Sequence, residues 1–184
     1  YKLTDKKNSN EYLLFNLATV LRDKKNPDLP IKSTIGEKTS DIMGSAKFKP
    51  NDIFNIDYKF SLDNNLDTSN YDSIKSTLSV NNFVTSFDFL QEQNVIGNES
   101  YIGNTTSYKF DESNSLTFST RKNKKTNLTE FYNLMYSYKN DCLTAAIEYN
   151  KEYYNDQDLK PEEQLLFTLT IVPFGRVNSP NLNK

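Results

Sequence analysis

The sequence of 184 residues lacks several residue types that common functional sites require. It has no histidine, which excludes a Ser-His-Asp triad and an imidazole-bound metal ion. A single cysteine excludes an internal disulfide and a cysteine-based zinc cluster. Its five glycines form neither a phosphate-binding loop nor a dinucleotide-binding fingerprint. The acidic residues lie in no catalytic motif, so we expect no enzymatic activity and no cofactor.

Charge and hydrophobicity narrow the class of protein further. Lys and Arg number 22 against 24 Asp and Glu, so the basic excess typical of a nucleic-acid-binding protein is missing. No run of about 18 apolar residues, as a transmembrane helix would need, occurs in the sequence. Hydrophobic residues make up only 36% of the chain, yet 12 Tyr and 12 Phe are too many for a disordered one. Polar residues must therefore be interspersed regularly among the apolar ones.

Alternation of apolar and polar residues is the dominant pattern. Its clearest instance is 52–62, where Phe54, Ile56, Tyr58 and Phe60 fall on one side of an extended chain. Because successive side chains of a β-strand point to opposite faces, this pattern predicts a strand with one apolar and one polar face. Similar stretches predict strands at 41–49, 71–80, 83–90, 100–110, 115–121, 130–139, 142–151 and 164–172.

Residues 11–22 fit two patterns. Their apolar residues suit one side of a helix about as well as one face of a strand. We favour a strand because every later element is predicted to be one. The chain is then expected to be all-β, an antiparallel up-and-down meander of about ten strands.

The connections between the predicted strands alternate in length. Short turns rich in Asn and Asp lie at 50–51, 81–82, 111–114 and 140–141, and longer polar loops lie at 63–70, 91–99, 122–128 and 152–163. Asn and Asp favour tight turns because they tolerate left-handed backbone conformations. Strands of about 10 residues with short turns at one end and longer loops at the other are typical of a bacterial transmembrane β-barrel. A soluble antiparallel sheet or sandwich also alternates and stays the alternative.

A barrel would give each face of the sheet its own environment. The apolar row Phe54, Ile56, Tyr58 and Phe60 would face lipid, because closed sheets cross membranes with their apolar side outward. Since the final strand follows a long loop, it would run inward and leave the C-terminus in the periplasm. The charged side chains on polar faces, expected to line the lumen, are Asp57, Lys59, Lys75, Lys109, Arg121 and Glu148.

The C-terminal third, 129–175, resembles the end of the LPS-assembly outer-membrane protein family (LptD, also called OstA or Imp). The similarity rests on Tyr132, Tyr136 and Tyr138, Asn140-Asp141-Cys142, Glu148-Tyr149, Tyr153-Tyr154 and Phe174-Gly175, in that order. The stretch 36–63, with its Lys-Thr-Ser-Asp run at 38–41, is similar to barrel strands of the same family.

The resemblance implies a location, a function and partners. Members of the family have a periplasmic jellyroll and a very large barrel with a lipoprotein plug in its lumen. Lipopolysaccharide arrives through periplasmic bridge proteins and leaves sideways between the first and last strands. The resemblance therefore implies that 1–175 is the C-terminal part of such a barrel in the outer membrane, and that 176–184 is a flexible periplasmic tail. A passive pore, an autotransporter-type translocator and a soluble β-sandwich binding module stay as alternatives.

Two further expectations follow from the resemblance. Family members carry two adjacent cysteines that form disulfides with the periplasmic domain, whereas here Cys142 is followed by Leu143, which leaves one such bond. The last predicted strand, 164–172, would be the lateral-gate strand, at the edge of the sheet and paired only with 142–151. Pro173 lacks an N–H and would either weaken that seam or simply end the strand. The gate residues are Leu165, Phe167, Leu169, Ile171 and Pro173.

A run of lysines lies in the predicted loop 122–128. Lys122, Lys124 and Lys125 would either be solvated there or attract anionic lipid headgroups outside the cell.

Overall fold

The computed structural model describes residues 1–4, 11–30, 34–94, 96–153, 162–171, 175–178 and 182–183. Within these ranges the regular elements are β-strands, as the alternation predicts, and residues 11–18 are confirmed as a strand. In chain order the strands are β1 (Lys2–Thr4), β2 (Glu11–Ala18), β3 (Ile42–Phe48), β4 (Phe54–Leu62), β5 (Ser69–Val80), β6 (Phe83–Glu92), β7 (Ser100–Lys109), β8 (Asn114–Asn123), β9 (Leu128–Lys139), β10 (Leu143–Glu152), β11 (Glu162–Ile171), β12 (Gly175–Asn178) and β13 (Leu182–Asn183).

The strands form a meander. The order of strands in the sheet, β1 to β12, is the order in the sequence, and β13 pairs with β11. Neighbours such as β3 and β4, or β9 and β10, are antiparallel. Ten strands, β2 to β11, lie between residues 11 and 172, so the predicted antiparallel meander and its strand number are confirmed.

One predicted loop is a tight turn. Strand β8 continues to Asn123 and β9 starts at Leu128, which leaves four residues between them where the sequence predicted a longer loop. The Asn123 Oδ1 closes this turn by accepting hydrogen bonds from the backbone N–H groups of Lys125 and Thr126, at 3.0 and 3.2 Å. Asn127 follows with a positive φ of 55°. The predicted alternation of short and long connections is therefore wrong at this position.

The prediction that the strand at 164–172 forms the edge of the sheet is also wrong. This strand is β11, and it pairs with β10 on one side and with β12 and β13 on the other. The chain resumes an extended conformation at Gly175, so its backbone fills the hydrogen-bonding positions that an edge would leave open. Residues 176–178 and 182–183 of the predicted tail therefore lie in the sheet. They run back along β11 from Ile171 to Gln164, so Asn183 lies toward the end of the sheet opposite the turn at 140–141. The prediction that the C-terminus lies on the same side as the short turns is therefore wrong. Pro173 lies outside the described residues.

The chain divides into two compact units. The first unit comprises Tyr1–Leu78 and Phe87–Tyr101, and it contains β1 to β4 and most of β5 and β6. The second unit comprises Ser79–Ser86 and Ile102–Lys184, and it contains most of β7 and all of β8 to β13.

Among the described residues, the buried side chains are polar and the large apolar ones are not buried. No hydrophobic side chain of the described residues is buried, and large apolar side chains on most of the strands are exposed. The buried polar or charged residues are Ser40, Asp41, Ser61, Asn70, Thr85 and Ser100. A soluble domain instead gains its stability by removing apolar surface from water. In the part of the chain that the structure describes, no helix is long and apolar enough to cross a membrane.

Candidate functional site: the two faces of the sheet

The apolar face of the second unit is built from rows of side chains that run across four strands. Directly paired residues of antiparallel strands share a face, so each row can be followed through the register. Ile147 is exposed by 49% and Phe167 by 46%, although both lie near the middle of their strands. The two central rows are Leu116, Tyr136, Ile147 and Phe167, and Phe118, Leu134, Tyr149 and Leu165. Leu165 and Phe167, two of the predicted gate residues, therefore belong to a continuous apolar surface.

The apolar face of the first unit contains the row that the sequence singled out. Phe54, Ile56, Tyr58 and Phe60 alternate along β4, and each pairs across to β5. Tyr58 pairs with Ile74, and Phe54 pairs with Leu78.

A glycine opposite Phe60 allows an unusually close approach. Gly44 is the cross-strand partner of Phe60 in β3, and a Cβ atom added at Gly44 would lie 2.1 Å from the Phe60 Cζ. The ring therefore lies where a side chain of residue 44 would be. An aromatic ring over a cross-strand glycine is a known way of fixing strand register.

The polar face of the first unit carries alternating charges. Lys47, Asp57 and Lys75 form one row across β3, β4 and β5. The Lys47 Nζ lies 3.5 Å from Asp57 Oδ1. Lys59 lies in the next row, between Ser45 and Ser73. The structure thus brings together three of the predicted polar-face residues, Asp57, Lys59 and Lys75.

The polar face of the second unit is mostly neutral. Hydroxyl groups pair across its strands, at 2.7 Å between Ser115 and Ser137 and at 2.9 Å between Ser107 and Thr117. The predicted Glu148 accepts a hydrogen bond from the Asn133 amide. Each hydroxyl group therefore has a hydrogen-bond partner on the neighbouring strand, and these pairs carry no net charge.

The other two predicted charged residues lie near strand ends. Arg121 forms an ion pair with Glu130 and lies 5.4 Å from the centre of the Phe131 ring. Lys109 is the last residue of β7, and its backbone N–H donates to the Asn82 carbonyl oxygen at 2.9 Å. Lys122 falls within β8, and Lys124 and Lys125 lie in the four-residue turn after it.

A buried polar cluster lies where the longer connections of the first unit leave the strands. The Asp41 Oδ2 accepts hydrogen bonds from Ser61 Oγ at 3.1 Å and from Asn70 Nδ2 at 2.8 Å. The Asn70 Oδ1 accepts in turn from Asn94 Nδ2 at 2.5 Å. Our sequence reasoning missed this cluster, although Asp41 closes the Lys-Thr-Ser-Asp run. Alternation alone gives no signal for it, because its members come from four separate segments.

A second polar group was also missed, and it interrupts the apolar face of the second unit. Thr85 Oγ1 and Thr106 Oγ1 lie 2.8 Å apart, and Asn104 Nδ2 donates to Thr85 Oγ1 at 3.0 Å. Thr106 Oγ1 donates to the Asn104 Oδ1 at 3.0 Å. By alternation Asn104 and Thr106 share the side of β7 that carries the exposed Ile102. The three side chains satisfy one another's hydrogen-bonding groups, as buried polar groups such as Thr85 generally do.

Three short turns share one capping geometry. The Oδ1 atoms of Asn51, Asp111 and Asn140 each accept hydrogen bonds from the backbone N–H groups two and three residues later, at 2.7–3.0 Å. At Asp111 the side chain of Asn114 and the backbone N–H of Ser113 donate to the carboxylate and lower its pKa.

Cys142 lies in the third of these turns. Its backbone N–H donates to Asn140 Oδ1 at 3.0 Å, and the free cysteine is exposed. The disulfide implied by the resemblance stays a prediction.

Among the described residues, no group of carboxylate or cysteine side chains could hold a metal ion. No protein-family model matches the sequence, and no curated protein matches it either.

Proposed function

We propose that the chain is part of the wall of a bacterial outer-membrane β-barrel. The observation that supports this proposal is the reversed burial: apolar rows such as Ile147 with Phe167 are exposed, whereas Asp41, Ser61 and Asn70 are buried. In water, an exposed apolar surface of this extent would favour aggregation. In a bilayer it is the surface that meets lipid, and the paired backbone of a sheet meets the demand that every polar group be satisfied.

In this proposal the polar face lines an aqueous lumen. The row Lys47, Asp57 and Lys75 in the first unit and the hydroxyl pairs in the second unit would contact water or a plug protein. The short turns at Asn51, Asp111 and Asn140 would lie in the periplasm, together with Cys142. Asn183 pairs with Gln164 and therefore lies toward the opposite end of the sheet.

The more specific part of the proposal is lipopolysaccharide assembly. It is supported by the resemblance of 36–63 and 129–175 to that family. The lipopolysaccharide would arrive through periplasmic bridge proteins and leave through a seam between the first and last strands, with a lipoprotein plug in the lumen. Because β11 pairs with β12 from Thr168 to Ile171 and with β13 at Gln164 and Leu165, the predicted gate strand does not have the free edge that a gate requires. The proposed seam therefore lies C-terminal to β11.

Cysteine accessibility along β10 tests the membrane part of the proposal. In the full-length protein with Cys142→Ser, single cysteines replace successive residues of 145–150. A membrane-impermeant maleimide should label Ala146→Cys, Glu148→Cys and Asn150→Cys, because these positions face the lumen. Cysteines at 145, 147 and 149 should be protected by lipid. Labelling without this period of two residues would contradict a membrane wall.

A seam lock tests the lipopolysaccharide part. Cysteines in β12 and in the first strand of the full-length protein would be cross-linked in cells, and lipopolysaccharide at the cell surface measured. The locked protein should lose export, and reduction should restore it. Unchanged export through a locked seam would contradict the function. Preserved ion conductance together with unchanged export would favour a passive pore, which the neutral hydroxyl pairs of the second unit would also suit.

A further inference from the structure

An open hollow of about 440 Å³ lies over two neighbouring rows on the polar face of the first unit. This volume is within the range of roughly 300–1,000 Å³ of small-molecule sites. The first row consists of Ala18, Met43, Ser61 and Tyr71, and the second of Asn16, Ser45 and Lys59. Ile96, from the connection between β6 and β7, also lines the hollow, as do Leu17, Gly44 and Phe60, which alternate with the residues of the two rows along their strands.

The lining divides into an apolar part and a cationic end. Met43, Tyr71 and Ile96 offer apolar surface on the face that also carries Lys47, Asp57 and Lys75. Lys59 is the charged residue of the lining, and no carboxylate among the described residues lies within ion-pair distance of its Nζ. Beside it, Asn16 Nδ2 donates to Ser45 Oγ at 3.2 Å.

The buried polar cluster holds this lining in place. Ser61, itself part of the lining, is 4% exposed and donates to Asp41. Asn70 donates to the same carboxylate oxygen and accepts from Asn94, two residues before Ile96. The connection that carries Ile96 is therefore tied to the strands through Asn70, whose own hydrogen bond to Asp41 is buried, so the hollow is formed before a ligand arrives.

We propose that this hollow binds an amphiphile with one apolar chain and a phosphate headgroup. The phosphate would lie at Lys59, because an ammonium group binds phosphate through charge-assisted hydrogen bonds. The apolar chain of the ligand would lie along Met43, Tyr71 and Ile96 and would cover apolar surface that is otherwise exposed to water. This inference rests on the proposed function only for placing the hollow on the lumen side of the wall, where it would give a transported lipid a temporary site.

The test measures protection of a cysteine inside the hollow. The full-length protein with Cys142→Ser and Met43→Cys, held in amphipol, would be alkylated with a maleimide in the presence of dodecyl phosphate. We expect alkylation to slow about tenfold at saturation, since a bound chain covers residue 43. Inorganic phosphate alone and dodecyl maltoside should protect residue 43 much less. The first has no apolar chain, and the second has no phosphate group. Alkylation of Ala18→Cys, measured in a protein that keeps Met43, shows whether replacing Met43 itself alters the hollow.

Matched variants separate binding from a general detergent effect. Lys59→Gln should raise the dodecyl phosphate concentration for half-protection about tenfold, the loss expected for one charge-assisted contact. Lys75→Gln, on the same face but outside the hollow, should leave it unchanged, and Ser137→Cys in the second unit should not be protected. Equal protection at residues 43 and 137, or no effect of Lys59→Gln, would overturn the proposal. Protection before any amphiphile is added, lost when a partner protein is removed, would overturn it in favour of a protein occupant. The labelling pattern along β10 can fail or succeed independently of these results.

Discussion

The two units of the chain use the same alternating strands but satisfy their polar faces differently. In the first unit, charged side chains such as Lys47 and Asp57 face each other across strands, and the Asp41 carboxylate is buried under longer connections. In the second unit, pairs such as Ser115 and Ser137 form neutral hydrogen bonds along strands joined by shorter turns. Small hydroxyl side chains can therefore bridge regularly paired strands, whereas the buried carboxylate lies where the longer connections leave the strands.

The largest expected loss of stability concerns a feature that both units have, an exposed apolar face. In the proposed membrane wall, Ile147→Arg should destabilise the folded protein in lipid by about 2–4 kcal/mol, because the arginine would then lie in the hydrocarbon region. Ala146→Arg is the matched control, since the neighbouring residue points to the polar face. Urea unfolding in lipid vesicles would measure both. Equal losses for the two variants would mean that the faces do not differ in environment.

The next effect separates the units. Asp41→Ala should cost about 2–3 kcal/mol, because Ser61 and Asn70 lose the charged acceptor of their hydrogen bonds while staying buried. The corresponding change in the second unit, Ser137→Ala, should cost about 1 kcal/mol, because it removes one neutral hydrogen bond. Unfolding titrations of both variants in the same lipid would compare them. A smaller loss for Asp41→Ala than for Ser137→Ala would show that the buried carboxylate does not stabilise the connections.

The contact between Gly44 and Phe60 gives a third, smaller effect within the first unit. Gly44→Ala should cost about 1–3 kcal/mol, because the new methyl group would meet the Phe60 ring. In the Phe60→Leu background the same change should cost less, since the ring has gone. Unfolding of the four proteins of this double-mutant cycle would give the coupling energy. Additive losses would show that the ring and the glycine are not in contact.

The sequence predicted those features that repeat at a fixed spacing. Alternation located β3 to β11 and put Phe54, Ile56, Tyr58 and Phe60 on one face, because a strand has a side-chain period of two residues. The Asn and Asp residues between the strands located the turns at Asn51, Asp111 and Asn140, because their side chains cap the backbone locally.

Features that depend on residues far apart in the sequence were not predictable in this way. The Asp41 cluster joins residues 20 to 29 positions apart, so no local pattern reveals it. The strand β12 was assigned to a tail because four residues are too few for alternation to be recognised. The turn at 124–127 was missed because its lysines suggested a solvated loop, whereas Asn123 closes it.

The smallest expected effect concerns the capped turns. The hydrogen bonds from Asn114 and Ser113 lower the pKa of Asp111 in the folded protein below its value in the unfolded chain. A group with a lowered folded-state pKa stabilises the protein above its unfolded pKa and loses that contribution as the pH falls through the folded value. Thermal unfolding between about pH 6 and about pH 2 should therefore show a steeper loss for the wild type than for Asp111→Asn, whose amide does not titrate in this range. The equivalent turn at Asn140 already has an amide, so Asn140→Asp should gain such a pH dependence. Parallel pH profiles for all three proteins would show that these carboxylates do not stabilise the turns.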